Sequence, residues 1–391
     1  MHRSLRAPAR VVLASVTLAG LSAAAFAAGP ATAGAQVRSH TPNGIGDAVF
    51  VQTNDTTGNQ ILAYSRSATG ALSFVHAYNT GGRGAREAGA VVDPLASQGS
   101  LYYDPVGALL IAVNGGSRTI TSFRVKGDRL SRAQVLKAGS FPVSVTSHGH
   151  LVYVLDAGST GAVRGFDESH RSLTPIAASR RNLRLNPKAT PQYLTTPGQV
   201  GFSPQGAQLI VTTKANGNDI DVFAVRANGT LSAKPVVNAS VDPVPYGFVF
   251  DPDGRLVVTE AGDADVSTYT LAADGSLTNV STVLDGQKGP CWIASVGGWY
   301  YAANSGSADI SGYQVNASGV ASLISAGSGI AATTDAGPID LAGSSNGQFL
   351  YAETGGAGAV DEFSVNGDGT LTSLGSITGL SGTGIEGIVA S

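Results

Sequence analysis

The segment 244–286, VPYGFVFDPDGRLVVTEAGDADVSTYTLAADGSLTNVSTVLDG, contains four short runs that favour β-strands. These runs are PYGFVFD, RLVVTE, DVSTYTL and SLTNVSTVL, and the turn-forming groups DPDG, AGDA and AADG separate them. Short turns connect antiparallel strands, so the segment is typical of a four-stranded antiparallel meander. One such meander cannot bury both of its faces, and it therefore needs similar units on either side.

Related units recur along the chain. The third run of the segment has counterparts that carry an aromatic residue at the fourth position, and these residues are Tyr64, Phe123, Phe166, Phe223, Tyr269, Tyr313 and Phe363. The intervals between them average about 50 residues, a length typical of propeller blades. We therefore predict an all-β fold, a seven-bladed β-propeller with four-stranded antiparallel blades.

The two ends of the chain are expected to meet in one blade. The first unit begins at Ala48 with the counterpart of a second strand, and no apolar run precedes it that would serve as its first strand. The C-terminal segment GTGIEGIVAS (382–391) matches GPIDLAGS (337–344), which is a first strand. We expect the C-terminal strand to complete blade one and close the ring, because closure limits exposed strand edges.

The first 35 residues have the pattern of a secretory signal peptide, with arginines before an apolar run (11–21) and small residues after it. Cleavage is expected after Ala27 or Ala35. The apolar run is shorter than the roughly 18 residues that span a bilayer, so we expect no membrane anchor. We predict a secreted, extracellular protein in which a flexible N-terminal segment (36–46) precedes a single propeller (47–391).

Composition and residue spacing limit the partners, metals and cofactors that we expect. The formal net charge of −3 gives no reason to expect nucleic acid or an anionic membrane as a partner. A single cysteine, Cys291, allows no intramolecular disulfide. The histidines lack metal-ligand spacing, and the aspartates of the turns lack the ligand order of an EF-hand. We therefore predict no metal and no cofactor, and we expect a monomer.

Two connections, 79–96 and 175–198, are longer than the repeat requires. Both join the outer strand of one blade to the inner strand of the next, and in propellers such loops share the face that usually carries the site. Loops of this length are either functional lids or disordered inserts. Their charged residues are Arg83, Arg86 and Glu87 in the first connection and Arg180, Arg181, Arg184 and Lys188 in the second.

Several motifs carry a resemblance to a known family. They are LASQGSLYYDPVGALLIAVNGGSRTITSFRV (95–125), GFSPQGAQLIVTT (201–213), PYGFVFDPDGRLVVTEA (245–261), GPCWIA (289–294) and GPIDLAGSSNGQFLYAE (337–353). With them the chain resembles the secreted bacterial branch of the lactonase-type seven-bladed β-propellers, a family that includes 6-phosphogluconolactonases and carboxymuconate-lactonizing enzymes. The resemblance implies a propeller fold and lactone chemistry in the channel mouth. The histidine of the lactonizing members has no counterpart here.

Residues that end second strands or begin first strands are expected to surround the channel mouth. If the protein is a hydrolase, a carboxylate there would act as general base on water, and Lys214 or an arginine of a connection would stabilise the oxyanion. The candidate bases are Glu260, Glu386 and Asp156. The candidate substrate-binding residues are Asn114, Lys214, Asn304, Asp340, Gln199, Tyr246, Trp292 and Arg86.

The sequence leaves two function classes open. The first is a metal-independent lactonase that acts on a small sugar-derived or organic-acid lactone. The second is a non-catalytic extracellular propeller that binds a small anionic or carbohydrate-derived ligand, or another protein. Carboxylates at the predicted mouth favour the enzyme, and the missing histidine favours the binding protein.

Overall fold

The computed structural model describes residues 47–169, 172–324, 328–380 and 384–391. The predicted signal peptide and N-terminal segment, residues 1–46, lie outside the described residues. The described chain forms seven antiparallel β-sheets, and each sheet is one blade of a β-propeller. The predicted fold class is therefore confirmed.

The strands of each blade follow one another from the inside of the ring to the outside. From inner to outer, they are Ile388–Ala390, Ala48–Gln52, Gln60–Arg66 and Leu72–Asn79 in blade 1; Leu101–Asp104, Leu109–Asn114, Thr119–Lys126 and Arg129–Lys137 in blade 2; Pro142–His148, Leu151–Asp156, Ala162–Ser169 and Ser172–Pro175 in blade 3; and Val200–Phe202, Gln208–Thr212, Asp219–Ala224 and Val236–Ala239 in blade 4. They are Pro245–Phe250, Leu256–Glu260, Asp265–Leu271 and Leu277–Leu284 in blade 5; Pro290–Val296, Trp299–Asn304, Asp309–Val315 and then both Ala321–Leu323 and Ile330–Thr333 in blade 6; and Pro338–Gly343, Phe349–Thr354, Ala359–Val365 and Leu371–Ile377 in blade 7.

Blade 5 shows how the local sequence forms the repeat. In its first turn the Asp251 carboxylate accepts the N–H groups of Asp253 and Arg255 at 3.0 and 2.8 Å, which is the self-bonded turn that aspartate favours. Gly254 follows with φ of 81°, a left-handed conformation that glycine adopts without steric cost. These turn residues therefore end the first strand of blade 5 and form the hairpin to the second.

Packing between blades uses the recurring aromatic position. The seven aromatic residues named above all lie on third strands and are at most 2% exposed. A second contact recurs at three blade junctions, where a buried tyrosine hydroxyl on a second strand donates to a glycine carbonyl in the outer turn of the next blade. These pairs are Tyr153 with Gly229, Tyr301 with Gly369 and Tyr351 with Gly70, at 2.7 to 2.9 Å.

The C-terminal strand closes the ring as predicted. Ile388–Ala390 pairs antiparallel with Ala48–Gln52, in a register that places Val389 opposite Phe50. The neighbouring Ile385 is fully buried. The first and last described strands therefore share one sheet, and the inner edge of blade 1 is paired.

The two long connections contain little regular structure. The first continues to Ser100 without a strand. The second contains a two-residue strand, Arg181–Asn182, which pairs with the third strand of blade 3, and one helical turn, Gln192–Thr195. A short 3-10 turn, Gly115–Ser117, lies between the second and third strands of blade 2. Among the described residues, no helix combines the length and the apolar character needed to cross a bilayer.

Candidate functional site

The first long connection crosses the centre of the ring. The Gln98 side chain exchanges two hydrogen bonds with the backbone of Ile293 on the inner strand of blade 6, at 2.7 and 3.0 Å. On blade 3, the Ser144 hydroxyl donates to the Gln98 carbonyl at 2.7 Å. Nearer its start, the connection is held by Asn54, whose amide both donates to and accepts from the backbone of Ala85. The segment 79–98 therefore covers the inner strands on the face that the sequence predicts to be functional.

Lys214 joins both long connections to blade 4. Its Nζ donates to the Ala96 carbonyl at 2.5 Å, to the Tyr193 carbonyl at 2.7 Å and to the Thr196 hydroxyl at 3.2 Å. Nζ also lies 5.0 Å from the ring centroid of Tyr246. Burial lowers the pKa of Lys214 to about 8, although nearby carboxylates favour its charged form. All three of its donors are used within the protein.

Two carboxyl groups, Asp93 and Glu386, form a hydrogen-bonded pair beside this lysine. Glu386 accepts the Leu95 N–H at 2.6 Å, and Asp93 accepts the Ala96 N–H at 2.7 Å together with the Tyr246 hydroxyl. Burial raises the pKa of both groups, and for Glu386 the charge of Asp93 raises it further, to well above its ordinary value. When two carboxyl groups are in contact, ionising one makes it energetically costly to ionise the other, so the pair favours a shared proton, with Glu386 as the group that holds it.

Glu87, in the first long connection, has two free acceptors. It is 2% exposed, and neither of its carboxylate oxygens has a hydrogen-bond partner among the described residues. Burial raises the pKa of Glu87 to about 7. The positive charge of Lys214 opposes this rise, and the negative charge of Asp93 adds to it. Glu87, Asp93, Lys214, Tyr246 and Glu386 are called the central cluster below.

Three further residues adjoin the central cluster. The indole of Trp292 packs edge-on against Tyr246 at 5.2 Å and donates to the Ser97 carbonyl at 2.9 Å. Asp340 is 3% exposed, and burial raises its pKa to about 7. Burial also raises the pKa of the Cys291 thiol to about 12, so the thiol stays protonated and is a poor nucleophile.

Several predicted site residues are placed elsewhere. The Asp156 carboxylate accepts the backbone N–H groups of Ser140, Phe141 and Gly158 at 2.6 to 3.2 Å, and it therefore organises the approach to blade 3. The Arg86 side chain is exposed and donates to the carbonyls of Ala90 and Val91 within its own connection.

The predicted amide residues also bind neighbouring protein groups. The Asn114 amide donates to Thr121 and accepts from Thr80 at 2.9 and 2.7 Å, and the Asn304 amide donates to Asp309 at 2.6 Å. Gln199 exchanges two hydrogen bonds with the backbone of Phe248 on the adjacent blade. The contacts of these three side chains therefore join strands, turns and blades.

Glu260, the first choice of base from the sequence, belongs to a separate group of acids. One of its carboxylate oxygens accepts the hydroxyl of Ser240 and, at 2.5 Å, that of Tyr269. Asp242 and Asp265 lie beside it, with one oxygen of each of the three side chains within 4.8 Å of the others. These three residues are called the acidic cluster below.

The structure thus brings together Lys214, Tyr246, Trp292, Asp340 and Glu386 from the predicted set. Sequence reasoning noted Glu87 only as part of a charged connection and did not consider Asp93. Both residues lie outside the repeated units, so alignment of blades could not place them. The available signal was the presence of two acids in a connection rich in glycine and alanine.

These features define a class of protein, a seven-bladed β-propeller whose central face is covered by a connection that carries buried acids. No family model matches the sequence, and no curated protein matches it. Solved structures with the same fold do match. One is a Lactobacillus plantarum protein, 16% identical, with a TM-score of 0.67 over 87% of this chain and 98% of that one.

Two further structures carry names that describe an activity. The periplasmic gluconolactonase of Pseudomonas aeruginosa is 18% identical, with a TM-score of 0.66 over 87% of this chain and 98% of its own. A Bacteroides fragilis protein, provisionally described as a 6-phosphogluconolactonase, is 18% identical with a TM-score of 0.65, over 85% of this chain and 94% of its own. At this identity the likeness establishes the shared fold, and the resemblance seen in the sequence is confirmed at that level.

Proposed function

We propose that the protein is a secreted, lactonase-like propeller that hydrolyses a small sugar-derived or organic-acid lactone at the central cluster, without a metal ion in the reaction. The observation that carries this proposal is Glu87, a buried carboxylate with two free oxygens, a pKa raised by burial to about 7 and a lysine beside it. A general base is most effective when its pKa lies near the working pH. The gluconolactonase name of one structure with this fold supports the choice of substrate class.

The reaction needs one base and one cation. Glu87 takes a proton from water while the water oxygen bonds to the lactone carbonyl carbon, and the Lys214 ammonium stabilises the resulting oxyanion. The ring C–O bond then breaks, and Glu87 returns the proton to the ring oxygen. One water molecule is thereby added across the ester bond. At pH 7 most Lys214 is charged, because its pKa is lowered only to about 8.

Access requires movement of the segment 79–98. Glu87 is 2% exposed, and the donors of Lys214 are engaged with Ala96, Tyr193 and Thr196. In the proposed cycle this segment withdraws to admit the lactone, and Lys214 exchanges its bond to the Ala96 carbonyl for one to the substrate oxygen. The connection therefore acts as a lid that carries the base.

The test offers the purified protein a panel of aldonolactones and acyl lactones at neutral pH and measures ring opening. Glu87→Gln is expected to lower kcat by roughly 10²- to 10⁴-fold, the range typical of a lost general base. Glu168→Gln is the matched control, because Glu168 lies on the third strand of blade 3 and pairs with Arg124 at 3.5 Å. Glu260→Gln examines the base chosen from the sequence. Wild-type rates equal to those in buffer for every lactone would refute the proposal, as would full activity of Glu87→Gln.

The pH profile gives a second readout. Because Glu87 must be ionised to act as a base, kcat/KM is expected to fall as the pH drops below about 7. Glu87→Gln should lose this limb of the profile, while Glu168→Gln should keep it. A limb that persists unchanged in Glu87→Gln would assign the base to another group.

A cleft beside the second connection favours a non-catalytic alternative. It has a volume of about 370 Å³ and lies between residues 182–186 and blade 4, with Arg184 and Lys234 exposed at its edge. Asp219 and Asp221 also line it, so its mixed charges and amides fit a small carbohydrate-derived ligand better than a simple anion. In a thermal-shift screen of sugars and organic acids, this alternative predicts a ligand whose stabilising effect is lost in Arg184→Ala and Lys234→Ala and is retained in Glu87→Gln.

A further inference from the structure

The acidic cluster concentrates negative charge where two segments of backbone meet. Asp242 lies in the connection between blades 4 and 5, Glu260 ends the second strand of blade 5 and Asp265 begins the third. Backbone hydrogen bonds at 3.0 Å join the same segments, from Ala261 to Val244 and from Gly262 to Pro243. The position of the three carboxylates is therefore set by the fold.

The carboxylates are buried without enough donors. Glu260 is fully buried and Asp265 is 1% exposed. Both oxygens of Asp265 and the Oε2 atom of Glu260 lack a hydrogen-bond partner among the described residues. Leaving such an acceptor buried and unpaired costs about 1–3 kcal/mol, and more when the group is charged. The free oxygens point to a missing partner.

The protein supplies no cation here within the part of the chain that the structure describes. Its ion pairs there involve Asp47, Glu168, Asp167, Asp251 and Asp253, and none includes a member of the acidic cluster. Asp263, exposed on the same turn, adds a fourth negative charge that acts on Asp265. Buried charges in proteins are normally paired or coordinate a metal.

We propose that the acidic cluster binds one hard divalent cation, Ca²⁺ in particular, through carboxylate oxygens of Asp242, Glu260 and Asp265. Calcium takes oxygen ligands at about 2.3–2.6 Å, so ligands on opposite sides of one ion lie roughly 4.8 Å apart. The three side chains offer one oxygen each within 4.8 Å of one another. The absence of nitrogen or sulfur donors from this set favours Ca²⁺ over zinc.

Bound Ca²⁺ would stabilise the junction of blades 4 and 5. It would neutralise the carboxylates and hold the 240–244 connection against the 261–264 turn. Asp242 is only partly buried, which gives an ion a route from solvent. This inference does not depend on the proposed lactonase activity, because the acidic cluster and the central cluster share no residue.

The experiment measures thermal unfolding of the purified protein after chelation with EDTA and then with excess CaCl₂. Saturating Ca²⁺ at roughly 100 times its Kd should raise Tm by about 4 °C. NaCl at equal ionic strength controls for general screening. Calorimetric titration with CaCl₂ should give a stoichiometry of one ion.

Variants locate the effect. In Asp265→Asn the Ca²⁺-dependent shift should disappear, while the chelated protein should be at least as stable as wild type, because an isosteric neutral group relieves the repulsion. Asp274→Asn, at an exposed turn of the same blade, should keep the full shift. Because Asp265→Asn is expected to fold, loss of the shift can be separated from misfolding.

Three outcomes would overturn the proposal. They are a wild-type Tm that CaCl₂ does not change, a shift that NaCl reproduces, and a shift that Asp265→Asn retains. The first would mean that a proton shared between Asp265 and Glu260 is the only occupant, a state consistent with the pKa of Asp265, which burial and Glu260 raise to about 9.

Discussion

The central cluster and the acidic cluster both bury carboxyl groups where connections between blades meet strand ends, but they differ in what surrounds these groups. In the central cluster, Lys214 supplies a cation, and Leu95, Ala96 and Tyr246 donate hydrogen bonds to the paired acids. In the acidic cluster, two hydroxyl groups bind one oxygen of Glu260, and three other oxygens have no partner among the described residues.

The difference indicates two ways in which the energetic cost of burying carboxyl groups is offset. Where the fold brings a lysine and backbone donors, the acids are compensated from within, and stability depends on pH. Where it brings acids alone, the missing charge must come from solution, and stability depends on ions.

Lys214→Met removes the internal cation of the central cluster. It leaves Glu87 and Asp93 without a counter-charge and the carbonyls of Ala96 and Tyr193 without a donor. Each buried group left unpaired costs about 1–3 kcal/mol, and the nearby carboxylates also lose a compensating charge, so we expect a loss of about 3–5 kcal/mol in the free energy of unfolding, measured with urea. Lys188→Met, at an exposed position, is the control. A loss below about 1 kcal/mol would show that Lys214 does not compensate these acids.

Substitutions of Glu386 separate its hydrogen bonds from its charge. Glu386→Leu leaves the Leu95 N–H without an acceptor and removes one of the hydrogen-bond partners of Asp93, so we expect a loss of about 2–3 kcal/mol in urea unfolding. Glu386→Gln keeps an acceptor for Leu95 and a donor for Asp93, and should remain within about 1 kcal/mol of wild type. Equal losses in both variants would mean that Glu386 is ionised in the folded protein.

The pH dependence of stability reports on Glu87. Its pKa in the folded protein, about 7, lies above the ordinary value of 4.5, so the folded state keeps a proton that the unfolded state releases. The free energy of unfolding therefore falls as the pH rises between these two values and levels off above the higher one. Between pH 5 and pH 7.5 we expect Glu87 to account for a decrease of roughly 2 kcal/mol.

The measurement compares wild type with Glu87→Gln in urea unfolding across this range. Glu87→Gln cannot titrate, so the difference between the two proteins should change with the sign given above. A constant difference from pH 5 to pH 7.5 would contradict a raised pKa at Glu87.

Asp263→Asn tests the acidic cluster from its exposed side. Removing this charge from the chelated protein should raise the free energy of unfolding by less than about 1 kcal/mol, because solvent screens an exposed group. Asp128→Asn, in a turn of blade 2, should have no comparable effect. A stabilisation that persists when Ca²⁺ is saturating would show that repulsion by Asp263 is not relieved by the ion.

Part of the candidate site could be predicted from the repeated sequence units. Tyr246, Trp292 and Glu386 lie where first strands begin, and Lys214 lies where a second strand ends. In a ring of blades, these two kinds of position share one face. Glu87 and Asp93 lie in a connection that occurs once, so no periodicity reports where its side chains point. Glu260 shows the same limit, because its side chain contacts Ser240 and Tyr269 at the junction of blades 4 and 5.

The sequence by itself determined the seven-fold repeat, the strand order and closure by the C-terminal strand, because alternating runs, turn residues and a recurring core aromatic are local features. Only the tertiary structure decided which charged groups meet. The electrostatic influence of Lys214 on Glu87, the hydrogen bond between Asp93 and Glu386 and the approach of Asp242 to Asp265 depend on the paths of connections and on burial. Burial also sets the pKa values of the central acids. The electrostatic energy of a charge that solvent does not screen depends on every neighbouring group.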